Sequence, residues 1–181
     1  MIAGSLRGRR IDAPRGWATR PTSDRVRESL FNLIGPVARG AAVLDLYAGS
    51  GALGIEALSR GAAHATFVEK DRRAVRSLRR NLEALGLRSR ARVIVSDADA
   101  PSSLAPGPWD LILADPPYDR GPSPRLVAEA GRLLVPGGVL ALEHGGDELP
   151  PDAPEGLALW KSRRYGRTRV TLYSRTAEEA S

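Results

Sequence analysis

The segment AVLDLYAGSGALG, residues 42–54, restricts the possible folds of this chain more than any other stretch. Val43, Leu44 and Leu46 form an apolar run of the kind that fills a strand covered on both faces. Gly49, Gly51 and Gly54 follow in the spacing G-x-G-x-x-G, and IEALSRG then takes helical spacing with a glycine to end it. Glycines at such a junction let the backbone turn tightly and approach a ligand closely. A strand, a glycine turn and a helix in succession begin a βαβ unit, which commits the chain to a parallel sheet.

The remainder keeps that alternation. ATFVEK (65–70) reads as a second strand, and DRRAVRSLRRNLEALGL sets Ala74, Val75, Leu78, Leu82 and Leu85 on one helical face, with Asp71 as N-cap and Gly86 just past the end. ARVIVSDA and WDLILA are strands three and four, PRLVAEAGRLL is a helix, and VLALEH is a fifth strand after a PGG turn. LALWKSRRYG and TRVTLYSR leave no room for a helix between them, so they form a hairpin that closes the sheet with antiparallel strands. The fold class expected is therefore α/β, a doubly wound, seven-stranded, mostly parallel sheet with an antiparallel C-terminal hairpin. Ahead of it, MIAGSLRGRRI reads as an extended or hairpin element. SDRVRESLFNLI follows as an amphipathic helix through Val26, Leu30, Leu33 and Ile34. Three parts result: a basic extension over 1–39, a core over 40–176 and a frayed tail over 177–181.

Composition narrows the chemistry. The 181 residues suit one domain, and the absence of cysteine removes disulfides and thiolate-bound metals. His64 and His144 are the only imidazoles, so no metal is expected. With no secretory signal and no membrane-length apolar run, a soluble cytoplasmic protein without membrane contact is the default reading, and a monomer is expected. The net charge is +6, and 25 of the 27 basic residues are arginine. Residues 1–39 carry eight arginines against three acids, which places most of the surplus in the first fifth of the chain and suggests a footprint for a polyanion.

Acids close the successive strands. Glu69 follows Gly49 by 20 residues, where a carboxylate can accept hydrogen bonds from both hydroxyls of a ribose. Asp45, four before Gly49, would repel a pyrophosphate but favour a cationic or amino group. Asp97, with Asp99 as the other choice, can accept from an adenine amine, although either could instead cap a helix. A ligand with a cation, a diol and an amine fits these acids better than a dinucleotide, and S-adenosylmethionine is such a ligand. Tyr47, Ala48, Gly49, Ser50 and Gly51 of the loop, with Asp45, Glu69, Lys70, Asp97, Ala98 and Asp115, are the expected cofactor residues.

Strand four ends in DPPY, residues 115–118, which is similar to the motif of amino-group methyltransferases. An exocyclic base amine is a poor nucleophile because its lone pair is delocalised into the ring. If the Asp115 carboxylate and a backbone carbonyl, that of Pro116, accept its two N–H bonds, the lone pair turns toward the methyl donor. Pro116 and Pro117 stiffen the turn, and Tyr118 can stack on the base. These four residues are the expected catalytic group.

RPTSDRVRESLFNLI, taken with VLDLYAGSGALGIEALSRGA, FVEKD and DPPY, resembles the bacterial methyltransferases that modify the N2 amine of one guanine in 16S ribosomal RNA. The resemblance covers residues 1 to about 175. It implies the class I, Rossmann-like methyltransferase fold, S-adenosylmethionine as donor with S-adenosylhomocysteine as product, and guanine N2 as acceptor. It also implies a partly assembled or assembled small ribosomal subunit as substrate. It assigns RNA contact to Arg20, Thr22, Arg25 and Arg27, to which the charge distribution adds Arg7, Arg9 and Arg10. Another amino-group methyltransferase, such as one for adenine N6, a Rossmann oxidoreductase and an inactive RNA-binding assembly factor are the alternatives.

Overall fold

Seven strands make a single sheet in the order β3-β2-β1-β4-β5-β7-β6. In the computed structural model, which describes residues 1–13, 22–99, 105, 107–117 and 123–177, the strands are β1 (Ala42–Leu46), β2 (His64–Glu69), β3 (Ala91–Val95), β4 (Trp109–Ala114), β5 (Leu134–Gly145), β6 (Leu157–Tyr165) and β7 (Thr168–Arg175). The helices are α1 (Thr22–Ile34), α2 (Ala52–Ser59), α3 (Arg72–Ala84) and α4 (Pro124–Leu133). Strands β1 to β5 pair in parallel, whereas β7 pairs antiparallel with both β5 and β6. This is the α/β sheet with a closing hairpin that the alternation of elements predicts.

Helices cover both faces. Val26, Leu30, Phe31 and Ile34 of α1, Ile55 and Leu58 of α2, and Leu78 and Leu82 of α3 pack on Val43, Leu111, Leu113, Ala141 and Leu172. Leu126, Val127 and Ala130 of α4 pack on the opposite face with Leu44, Leu46, Ile112, Leu140 and Tyr173. Such two-sided burial is why the central strands are continuous apolar runs rather than alternating ones. Asp71 caps α3 by accepting from the backbone N–H groups of Arg73 (2.6 Å) and Ala74 (2.9 Å), and Gly86 takes φ +69° just past its end, as expected.

Two elements differ from expectation. Strand β5 starts at Leu134, ahead of the PGG segment: Leu134 is level with Trp109 and Val139 with Leu111, so residues 135–138 are an excursion within the strand. The first twelve residues form no strand or hairpin; they hold a short 3-10 turn at Gly4–Leu6 and lie across α2 and α3. Glu56, fully buried on α2, accepts from the N–H groups of Ile2 (2.8 Å) and Ala3 (3.0 Å) and pairs with Arg60 (2.7 Å). Gly4 has φ +78°, and a Cβ there would stand 1.8 Å from the Ser59 carbonyl oxygen, so only glycine permits this approach. Polar groups of the core helices thus replace the strand partner that an extended arm would otherwise need.

Candidate active site

Strand order reverses between β1 and β4: from β1 the chain crosses outward to β2 and β3, and from β4 it crosses the other way to β5. The crevice at the carboxyl ends of the strands beside such a reversal is where open α/β sheets bind ligands. Asp45, Glu69 and Asp115 all stand there, because β1, β2 and β4 end at Leu46, Glu69 and Ala114.

The glycine loop is held from below by acids. Glu69, 7 % exposed, accepts from the N–H of Gly49 through Oε2 (2.8 Å) and from the N–H of Asp71 through Oε1 (2.7 Å). Each carboxylate oxygen has two lone pairs, so both can still receive a hydroxyl. Asp45 accepts from the N–H of Gly54 (2.8 Å). Its carboxyl is pushed up to about 7, chiefly by burial and further by the negative charge of Glu69, while the Gly54 hydrogen bond acts in the other direction. Gly54 is required by packing: a Cβ would lie 2.4 Å from the Phe67 ring and 2.9 Å from Asp45 Oδ2. The third glycine of the motif therefore lets α2 close onto β1 and β2, while the first two take φ +57° and +89°.

Tyr47 also has φ +57°, in the left-handed region that favours glycine, at a cost of roughly 1–2 kcal/mol for a residue with a Cβ. Its hydroxyl donates to Asp99 Oδ1 (2.7 Å). Asp97 pairs with Lys70 (2.8 Å), and Asp99 N–H turns back toward Asp97 Oδ1 (3.3 Å), with Ala98 buried between them. The structure thus gathers Tyr47, Lys70, Asp97 and Asp99 into one hydrogen-bonded rim beside the loop. Ala48 is buried beneath it, and Ser50 is half-buried.

At the end of β4, Asp115 is exposed, Pro116 buried and Pro117 exposed. Leu46 and Ala114 are paired, so Asp115 lies next to Tyr47 at the crevice floor. Tyr118 and Arg20 lie outside the described residues, and Thr22 is the first residue of α1.

Of the expected RNA-contacting arginines, Arg7, Arg9, Arg10, Arg25 and Arg27 lie among the described residues. Arg25 is exposed near the start of α1. Arg27 departs from expectation: it is only 8 % exposed, because helical spacing puts it with Val26 and Leu30 on the face that meets the sheet. It pairs with Asp24 (2.8 Å), and its Nε has no hydrogen-bond partner among the described residues. Arg7, Arg9 and Arg10 are exposed on the arm, and Arg9 donates to the carbonyl of Ala84 at the end of α3. That end lies at the amino edge of the sheet, since α3 returns the chain to the start of β3.

Asn81 is a further functional candidate, absent from the expectations above. Buried on α3, it donates through Nδ2 to the carbonyls of Ser50 (2.9 Å) and Asp12 (2.9 Å) and accepts from the N–H of Asp12 (2.8 Å). One side chain thereby ties the glycine loop to the amino-terminal arm. Its signal in the sequence is a polar residue on the apolar face set by Leu78 and Leu82, as Glu56 is within GIEALS.

The profile of a family described as "Conserved hypothetical protein 95" matches residues 1–174. "Ribosomal RNA small subunit methyltransferase D" of Escherichia coli (strain K12) is 39% identical over 187 residues, which take in 100% of this chain and 92% of that protein. "Putative rRNA methyltransferase YlbH" of Bacillus subtilis (strain 168) is 38% identical over 181 residues, covering 97% and 98%. Among solved structures, "Putative methyltransferase yhhF from Escherichia coli" superposes with a TM-score of 0.87 at 37% identity and covers 98% of each chain. With a profile matched almost from end to end and full-length relatives near 40% identity, the chain belongs to the conserved hypothetical protein 95 family.

Proposed function

We propose that this protein transfers a methyl group from S-adenosylmethionine to the exocyclic N2 amine of a guanine in 16S ribosomal RNA, acting in the cytoplasm on a partly assembled or assembled small subunit. The observation that carries this reading is the Asp115-Pro116-Pro117 turn at the carboxyl end of β4, beside the glycine loop at the strand-order reversal, in a chain 39% identical to a small-subunit ribosomal RNA methyltransferase.

The residues present fit the donor. Glu69 supplies lone pairs for a ribose diol, and the rim of Asp97 and Asp99 suits an amino group. Buried Asp45, its carboxyl pushed up to about 7, sits where a nearby cation would favour its ionised form. When bound, S-adenosylmethionine supplies an electrophilic methyl carbon on a cationic sulfur. Asp115 accepts one N–H of the guanine amine and the Pro116 carbonyl the other, which turns the nitrogen lone pair toward that carbon. Methyl transfer from the bound donor would make the N–C bond at the expense of the C–S bond and leave a neutral thioether, with the N–H proton shed by the nitrogen passing by way of the Asp115 carboxylate to solvent. Tyr118 is assigned the stacking of the base, which must be unpaired or flipped out to reach the crevice. The rate gain comes from positioning and hydrogen bonding.

The test is to incubate the protein and donor with small-subunit particles that lack the modification, then locate the methylated nucleoside by mass spectrometry. Methylguanosine at one position is the expected result, and none would overturn the reading. Asp115→Ala should lower methyl transfer by at least about 100-fold, the upper range of one positioned polar group, with donor affinity within a few-fold. Full activity in that variant would remove Asp115 from the mechanism.

A further inference from the structure

We infer that the turn of the β6–β7 hairpin, through Arg163, Arg164 and Arg167, docks the RNA backbone that flanks the reacting base; this rests on the function proposed above.

Topology puts the turn at the reactive edge. β7 runs antiparallel to β5, with Gly145 level with Thr168 and Val139 level with Ser174, so the loop between β6 and β7 lies at the carboxyl edge of the parallel strands. The pairings give a distance as well. Asp115 is one residue beyond the Ala114–Leu142 pair, which brings it level with Glu143; Glu143 pairs with Val170, and Val170 with Arg163. Residues level across a sheet share a face, so Arg163 is on the side of Asp115. Three strand spacings separate them, about 14 Å. That is within reach of a nucleotide chain whose base has entered the crevice.

Charge favours a polyanion. From Gly156 to Ala177 the sequence holds one lysine and five arginines and no acid. Arg163, Arg164 and Arg167 are exposed, and the guanidinium fork matches phosphate geometry. The one ion pair given for the turn, Arg164 to Asp147 (2.9 Å), is formed by side chains 51% and 85% exposed, so a phosphate can exchange with it at small cost.

The turn is also fixed before any ligand arrives. The N–H of Gly146 donates to the Arg167 carbonyl (2.8 Å), and Arg164 Nε donates to the Gly166 carbonyl (2.9 Å). Arg169, half-buried, donates to the Gly146 carbonyl (3.2 Å). A Cβ on Gly146 would stand 2.9 Å from the Gly166 carbonyl oxygen, so glycine there lets the turn seat against the end of β5. Less conformational freedom is then lost when the backbone is bound.

The experiment compares the whole protein with R163E/R164E/R167E and R163Q/R167Q, the second of which keeps the Arg164–Asp147 pair. A control, R79E/R88E/R92E, changes the same number of exposed charges on α3, the turn after it and edge strand β3. Binding of a fluorescent single-stranded RNA is followed by anisotropy across a salt series, and methylation of the unmodified particle is followed in parallel. The reversal variant should bind RNA at least 10-fold more weakly, with a salt slope lower by about 2, as three lost contacts to a single strand imply. R163Q/R167Q should show the same direction in reduced degree, KM for the particle should rise with kcat within about twofold, and donor affinity should not change. Hairpin variants that equal the parent in RNA affinity and KM, or a control that loses as much, would overturn the inference. So would polyglutamate that binds as tightly and is lost in the same variants, since the surface would then serve an acidic protein. If the parent binds RNA through the hairpin yet methylates no guanine, the functional reading fails and the docking surface stands.

Discussion

The two basic ends of this chain are held in opposite ways: the arm runs from the amino edge, where Arg9 meets Ala84, to the glycine loop, which Asn81 joins to Asp12, whereas the hairpin turn stands at the carboxyl edge. The amino-terminal arm is fastened through buried polar groups: Glu56 takes its first two N–H groups after Met1, Ser59 Oγ accepts from Leu6 (3.0 Å), and Asn81 brackets Asp12. Its arginines begin near the ends of α2 and α3, at the amino edge, as the Arg9 to Ala84 contact shows. The hairpin is fastened by strand pairing with β5 and holds Arg163, Arg164 and Arg167 exposed at the carboxyl edge. The hairpin is the more densely charged, with six basic residues and no acid over residues 156–177 against eight arginines and three acids over residues 1–39.

The largest expected effect lies in the arm. Glu56→Ala leaves two N–H groups and the Arg60 guanidinium without their acceptor, and removing one partner of a buried ion pair costs about 3–5 kcal/mol. For a chain of this size that lowers the melting temperature by roughly 10 °C. RNA affinity measured well below the transition should stay within a few-fold of the parent. A melting temperature within 2 °C of the parent would show that the arm is held by something other than Glu56, and RNA affinity lost in proportion would merge the two ends into one surface.

Next comes the junction of arm and loop. Asn81→Leu keeps the volume of the side chain but strips the Ser50 carbonyl and both backbone groups of Asp12 of their partner, at about 1–3 kcal/mol for each group left buried. The glycine loop then loses its brace, and S-adenosylmethionine should bind roughly 10-fold more weakly by calorimetry, about 1.4 kcal/mol. An unchanged dissociation constant would reduce Asn81 to an anchor for the arm.

Much of this was legible in the chain because it depends on neighbours in sequence. Strand, glycine turn and helix follow one another between Ala42 and Ser59, and Asp115 and Pro116 need only the end of β4 to gain a place. Hydrogen bonds that span long stretches were not legible. Glu56 meets Ile2 across 54 residues and Asn81 meets Asp12 across 69; a polar residue on an apolar helical face marks both as buried, but nothing local names the distant partner. Arg27 misleads for a related reason: in a run of charges its helical phase turns it inward, where hydropathy would place an apolar residue. Likewise KSRRYGRTR announces a hairpin, but its edge is known only once β7 is seen to insert between β5 and β6.

The smallest effect separates docking from stability. Asp147 forms the turn's ion pair with Arg164, an exposed pair of a kind worth about 0–1 kcal/mol. Asp147→Asn should therefore leave the melting temperature within about 2 °C of the parent. At the same time it frees a guanidinium that a phosphate would otherwise have to win from a carboxylate, and it removes a negative charge from the path of the RNA. Affinity for single-stranded RNA should rise by about twofold at low salt, and the gain should fade as salt screens the surface. Glu56 offers the arm no equivalent, because it is buried under Ile2 and Ala3 and cannot be exchanged for a phosphate. If the substitution weakens RNA binding, Asp147 orients Arg164 rather than competing for it, and the turn acts through geometry more than through charge.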